Sequence, residues 1–192
     1  HRAILLTKTS FHLFIFKSIH AIQQSIASLL LGMIGGAQLL GIFTPAEKIN
    51  RALVGLMTPI VNVFFPFFIK TKRDNVAYFR LVFILFSIII FISLSMVSII
   101  LWNISPFIIN FLFGKNYNSS IFIFKILTLA IPFKGINIIF NILWFVPLEK
   151  ELLVNKILIL NLLFLLPLSY FIIPQYGLAG FVMGLVIIEV MT

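Results

Sequence analysis

The sequence predicts an all-α membrane protein of six transmembrane helices, and three observations carry that reading. Of 192 residues, 61% are hydrophobic and 10% charged, against roughly half apolar and a quarter charged in a soluble domain. Mean hydropathy is +1.19 and 23 residues are Phe. A single core in a chain of this size has no room for that much apolar surface, so lipid must serve as the main solvent. Finally, polar or Gly/Pro clusters interrupt the apolar sequence at intervals of about 20 residues, the length that crosses about 30 Å of hydrocarbon as a helix.

The first expected span covers 11–35 and is loosened at its end by Gly35-Gly36. The second covers 45–69. Thr44-Pro45-Ala46-Glu47 offers it a hydroxyl at the N-cap, Pro at the first helical position and Glu at the third, which is the capping-box pattern. It stops at Lys70-Thr71-Lys72-Arg73-Asp74-Asn75, the most charged run in the chain. The third span, 76–104, ends at Ser105-Pro106, and the apolar stretch 107–113 is too short to cross, so it is expected to lie at the interface. Gly114 to Ser120 leads into the fourth span, 121–146, which contains Pro132 and Gly135. The fifth occupies 151–172 and the sixth 176–192. His1 in place of Met, and an apolar run that ends abruptly at Thr192, are what a fragment of a longer chain would show.

Charge gives the expected orientation. Lys+Arg number 14 and Asp+Glu 5, for a formal net charge of +9. In a chain this apolar, that excess marks a cytoplasmic face or sites for anionic groups, and nucleic acid is excluded as the partner. Arg2, Lys8, Lys70, Lys72, Arg73, Arg80, Lys150 and Lys156 fall on the side of the N-terminus, and Lys48, Arg51 and Lys115 on the other. The positive-inside rule then makes the N-terminal side cytoplasmic and the turn around Lys115 external.

No connection between spans is long enough to fold by itself, so function is expected within the membrane. The chain has no Cys, which removes disulfides, thiol nucleophiles and zinc-thiolate sites. His1, His12 and His20 lack acidic neighbours, so no metal site and no cofactor are expected. Paired carboxylates and Ser/His/Asp sets are absent from the span boundaries, which points away from an enzyme.

The buried cations are the candidate site. Lys or Arg at the centre of a transmembrane helix costs about 2.5–3.5 kcal/mol on insertion scales, whereas a cation near an end snorkels. Lys125 is about 6 Å into its span and Lys17 about 9 Å, while Lys134 is about 18 Å from either end. Lys134 therefore needs a wet cavity, a partner or a ligand. Lys17, His20, Gln24 and Ser28 share one helix face by their spacing, as do Glu47, Arg51, Gly55, Thr58 and Asn62, and then Lys134, Asn137 and Asn141. Lys17, His20, Gln24, Arg51, Lys134 and Asn137 are accordingly the candidate substrate-binding residues, and cations in a wet cavity suit an anionic group such as a phosphate. Hydrogen bonding between helices is the structural alternative for the Ser, Thr and Asn of these stripes, and Glu47 at i−4 is a local partner for Arg51. For Glu189 the alternatives are a role in proton coupling and interfacial solvation.

Ser10 to Phe14, Leu40 to Ile49 (LGIFTPAEKI), Phe65-Pro66, Leu112 to Tyr117 (LFGKNY) and Tyr176 to Gly180 with Glu189 resemble the polysaccharide transporter family. These are the O-antigen and capsule repeat-unit flippases of the multidrug/oligosaccharidyl-lipid/polysaccharide exporter superfamily, and the order and spacing resemble the second half of such proteins. The resemblance implies the C-terminal six-helix lobe of a multidrug-exporter-like transporter built from two lobes around a central cavity. It implies an inner-membrane protein that needs the N-terminal lobe as partner and moves undecaprenyl-diphosphate-linked oligosaccharide between leaflets, with Arg51 and Lys17 on cavity-lining helices. The competing readings are a drug/cation antiporter of the same superfamily, which would display cavity carboxylates, a membrane-embedded glycosyltransferase or polymerase, which would want a catalytic external loop, and a noncatalytic subunit or gene remnant.

Overall fold

The computed structural model describes the backbone of residues 2–148 and 150–191, and the side chains from Ser25 onward except at 149, 151, 152, 155, 162, 168 and 192. Among the described residues the chain is helical with no strand. The elements are α1 (Arg2–Gly55), α2 (Met57–Asp74), α3 (Val76–Phe113), a short 3-10 turn (Lys115–Tyr117), α4 (Asn118–Ile139) continued by a π-helical stretch (Phe140–Phe145), and α5 (Glu151–Met191).

Helix α1 is two helices joined at Gly36, whose φ of 77° and ψ of 176° break the helical path. A Cβ there would meet no atom within 4 Å, so the demand for glycine comes from the positive φ alone. The chain reverses at this residue. In an unbroken helix, positions 28 and 47 would be about 28 Å apart along the axis, yet the Ser28 hydroxyl donates to Glu47 Oε2 at 2.7 Å. The two arms therefore run back along each other. The expected cut at Gly35-Gly36 coincides with this reversal.

The expected helix start at Thr44-Pro45 is corrected by the structure. The second arm begins just after Gly36, so Thr44 lies two turns inside it, and its Oγ1 donates back to the Leu40 carbonyl at 2.7 Å rather than capping a terminus. The arm is interrupted at Leu56, whose N–H reaches only the Leu53 carbonyl at 3.2 Å. Pro59 explains the interruption, because it has no N–H to offer the Gly55 carbonyl. Helix α2 then continues past the expected end at Ile69 to Asp74. Asn75, extended at φ −157°, closes it and starts α3, with its Oδ1 accepting from the N–H groups of Ala77 and Tyr78 at 2.9 and 3.1 Å.

A second correction falls at Pro106. Helix α3 does not stop at Ser105-Pro106 but runs on to Phe113 and absorbs 107–113. Pro106 leaves the Trp102 carbonyl without its ladder donor, and the hydroxyl of the preceding Ser105 supplies that hydrogen bond at 2.9 Å. Prolines persist inside apolar helices where a neighbouring hydroxyl repairs the ladder in this way. The helix ends at Gly114, whose φ of 87° again needs glycine. In α5 the helix passes through Pro167 and Pro174 and breaks at Gly177, with φ 62° and ψ −157°, next to the expected start of a sixth span at 176.

Four helical runs among the described residues are long and apolar enough to cross a membrane, namely Ser25–Asp74, Val76–Phe113, Lys115–Phe145 and Ser169–Met191. In its most apolar stretch half of the third is buried, against 17% in those of the first two, so α4 is the central helix and the others pack around it. It contacts α1, α2, α3 and α5. The core divides in two. Leu31, Phe43, Ile109, Phe124 and Phe181 anchor a cluster shared by α1, α3, α4 and α5. Phe68, Phe79, Phe83, Ile139 and Leu143 anchor another between α2, the start of α3 and the end of α4 with its π-helical stretch. The latter is aromatic: Trp144 stacks on Phe79 with ring centroids 5.2 Å apart and lies 4.7 Å from Phe83.

Candidate functional site

The reversal at Gly36 creates a cleft between the two arms of α1. Ser25, Ser28 and Leu29 line one wall, and Leu40, Thr44, Glu47, Lys48, Arg51 and Ala52 the other, around about 640 Å³. Both walls follow from helical spacing: Ser25 and Ser28 share a face of the first arm, as do Thr44, Glu47, Lys48 and Arg51 on the second. A hydroxyl-rich, cationic groove is conspicuous in a chain that is 10% charged.

Glu47 organises the groove. One carboxylate oxygen accepts the Ser28 hydroxyl at 2.7 Å and the other accepts Arg51 Nη2 at 2.5 Å. Glu47 is 16% exposed and Arg51 44%. The pair joins i and i+4 on one helix face and leaves the guanidinium the more exposed partner. Lys48 lies beside them, exposed. A phosphate-like group entering here would meet a guanidinium, an ammonium and hydroxyl donors, with the Glu47 carboxylate as the element it must displace.

Of the predicted site residues, the side chains of Lys17, His20 and Gln24 lie outside the described residues. Arg51 is placed in the cleft and takes the local partner, Glu47. The first two stripes meet at Ser28 and Glu47. Beyond them the second stripe does not continue into the site: Thr58 and Asn62 are exposed on α2, on the far side of the Leu56 interruption, which ends the phase that an unbroken helix would keep.

Lys134 and Asn137 lie on α4 and do not line the cleft. Lys134 is half-buried and has no hydrogen-bond or ion-pair partner among the described residues. One turn on, Asn137 Nδ2 reaches the backbone oxygen of Glu189 at 3.1 Å and its Oε2 at 3.2 Å. Glu189 thus has a protein partner on the central helix, a contact that sequence reasoning missed. Asn141, the third member of that stripe, falls in the π-helical stretch, where the extra residue per turn alters the phase. Lys125 places its Nζ 5.7 Å from the centre of the Trp102 ring on α3, within cation–π range.

Two other polar features, one a contact and one a buried group, were not singled out from sequence. Ser120 of α4 donates to the Ile42 carbonyl of α1 at 2.7 Å, which pins the second arm against the central helix. Asn50, the residue before Arg51, is 1% exposed, and its Oδ1 has no hydrogen-bond partner. Neither announces itself in a sequence, because isolated Ser and Asn carry no periodic signal.

A family model described as polysaccharide biosynthesis protein matches residues 2–122. The match takes in all of α1, α2 and α3 and the start of α4, so it contains the cleft with Ser28, Glu47 and Arg51 and leaves out Lys134, Asn137 and Glu189. No curated protein and no solved structure matches the chain.

Proposed function

The chain belongs to the polysaccharide biosynthesis protein family, and from that premise we propose that it is one six-helix lobe of a flippase. Its cargo would be undecaprenyl-diphosphate-linked oligosaccharide, carried across the bacterial inner membrane. In this reading the breaks at Gly36 and Gly177 are the turns that divide the helices into six crossings, and a second lobe completes the cavity. The work is transport, not bond-making.

The observation that carries the reading is the Ser28–Glu47–Arg51 arrangement in the α1 cleft, a cationic, hydroxyl-rich groove within an apolar helical hairpin. A diphosphate headgroup exchanges with Glu47 for Arg51 and takes Lys48 as a second contact. The exchange is open on the Arg51 side, which is 44% exposed, and the headgroup replaces the carboxylate with an acceptor of higher charge. Release at the opposite leaflet returns Glu47 to Arg51.

Reconstituted vesicles holding the intact transporter and a lipid-diphosphate oligosaccharide test this directly. Arg51→Gln is expected to lower headgroup affinity and translocation at least tenfold, as loss of a charge-assisted contact of about 1.5–3 kcal/mol does. Glu47→Gln, which removes the competitor, is expected to tighten binding. Undiminished translocation by Arg51→Gln would refute the role of the cleft. The half-buried Glu189 favours a second reading, the drug/cation antiporter, and efflux of an organic cation that depends on Glu189 would identify it.

A further inference from the structure

The C-terminal half of α2, next to the elbow with α3, carries a second cleft, separate from the one above and lined by that helix. Phe65, Pro66, Ile69, Lys70, Arg73 and Asp74 line about 720 Å³. Its composition is divided along the helix: the ring and aliphatic groups come first, and the charges follow one turn later at the helix end. Lys72 adjoins, and Arg80 is exposed on α3, about 6 Å along the axis from that helix's first residue.

None of Lys70, Lys72, Arg73 and Arg80 forms an ion pair with Asp74 or any other described residue; the described ion pair is Arg51–Glu47. Lys72 and Arg73 sit in the last turn of α2, where they offset the helix dipole. Lys70 and Arg80 have no such explanation. Nor do the backbone donors at the start of α3 call for an anion, since Asn75 already accepts from Ala77 and Tyr78. Below this cationic rim the surface is apolar and open: Phe67 is 46% exposed and Ile69 43%, and Tyr78 and Leu81 across the elbow are 54% and 56%. Side chains so placed in an apolar chain face lipid tails.

We infer that the cationic end of α2, at its elbow with α3, is a binding site for an anionic phospholipid, with the phosphate headgroup between Lys70 and Arg73 and the upper acyl chain along Phe65, Pro66 and Ile69. Basic residues at a membrane surface attract anionic lipid at about 1 kcal/mol each, but diffuse attraction needs no groove. Here the charges stand at the mouth of an apolar cleft, so one lipid satisfies both halves of the site. Free phosphate would satisfy only the rim. Lys70 and Arg73 hold the lipid, and Arg80 widens the positive field around it.

The intact transporter, reconstituted in mixed phosphatidylcholine and phosphatidylglycerol vesicles and then extracted, tests the site by the ratio of co-purifying lipids in native mass spectrometry. Wild type is expected to retain phosphatidylglycerol preferentially. Lys70→Gln and Arg73→Gln are each expected to lower that preference about fivefold, the equivalent of about 1 kcal/mol. Lys150→Gln with Lys156→Gln removes two exposed cations elsewhere and is expected to leave it unchanged. An equal loss in that control would show diffuse surface charge only, and would overturn the site. So would absence of preference in wild type, or displacement of the lipid by inorganic phosphate at matched concentration. The readout is bound lipid rather than translocation, so it stands or falls independently of the flippase reading.

Discussion

Ser98 on α3 donates its hydroxyl to the backbone carbonyl of Thr128 on α4, at 2.6 Å and fully buried. That carbonyl is the one Pro132 leaves without a ladder donor four residues on. A proline in the central helix is thus repaired by a serine in its main neighbour, and the repair is also a cross-link between the two helices.

Ser98→Ala is expected to destabilise the fold by about 0.6 kcal/mol and at most about 1.7, the range of interhelical hydrogen bonds in membranes. Pro132→Ala restores the ladder donor and is expected to make the Ser98→Ala change nearly neutral. A double-mutant cycle on thermal unfolding in detergent reads the coupling, and additive effects would show that the hydroxyl and the proline are unrelated.

Helix α3 packs tightly on α4 at Gly135, where an added Cβ would stand 2.1 Å from Leu94 Cδ1. The obstacle is the tip of a flexible side chain, so Gly135→Ala is expected to be tolerated with a small loss. Gly135→Leu is expected to cost about 1–3 kcal/mol, as overpacking of a tight core does. Leu94→Ala combined with Gly135→Leu is expected to recover part of that loss in the same unfolding assay.

Lys134 is half-buried on the central helix without a described partner, and under the proposed two-lobe flippase reading its ammonium is expected to face the transport path. Lys134→Ala is expected to abolish complementation of surface polysaccharide while membrane insertion, followed by fractionation and immunoblot, stays normal. Wild-type surface polysaccharide in that mutant would remove Lys134 from the mechanism.

Orientation follows from the distribution of basic residues. Reporter fusions after Arg73 are expected to report cytoplasm, and fusions after Lys115 the exterior. The reverse pattern would invert the leaflet at which the α2–α3 elbow sits.

Helical class and the places where the chain breaks were legible in the sequence because glycine with positive φ and the Lys70–Asn75 run leave strong local signals. What misled was proline. Thr44-Pro45 resembles a helix start and Ser105-Pro106 a helix stop, yet both lie inside helices, because a hydroxyl one residue earlier serves equally well as a cap and as a donor to the preceding turn. Only the third dimension distinguishes the two. In the site, the facing of Ser28 and Arg51 followed from spacing, but the central position of Glu47 depended on the reversal at Gly36. The Asn137–Glu189 contact joins positions 52 apart, and no periodicity within one helix foretells a meeting between two.

The division of the core has a consequence for how the molecule opens. Helices α3 and α4 contribute to both apolar clusters, whereas α2 belongs to one and α5 to the other. Amide exchange is expected to separate accordingly. The α2 amides would exchange together with the aromatic end around Trp144, those of α5 with the cluster around Phe181, and those of central α4 last, because it is held by both clusters and is more buried than α3, 50% against 17% in their most apolar stretches. Denaturant-dependent exchange would then resolve two partial openings before global unfolding, with α4 the slowest segment in each.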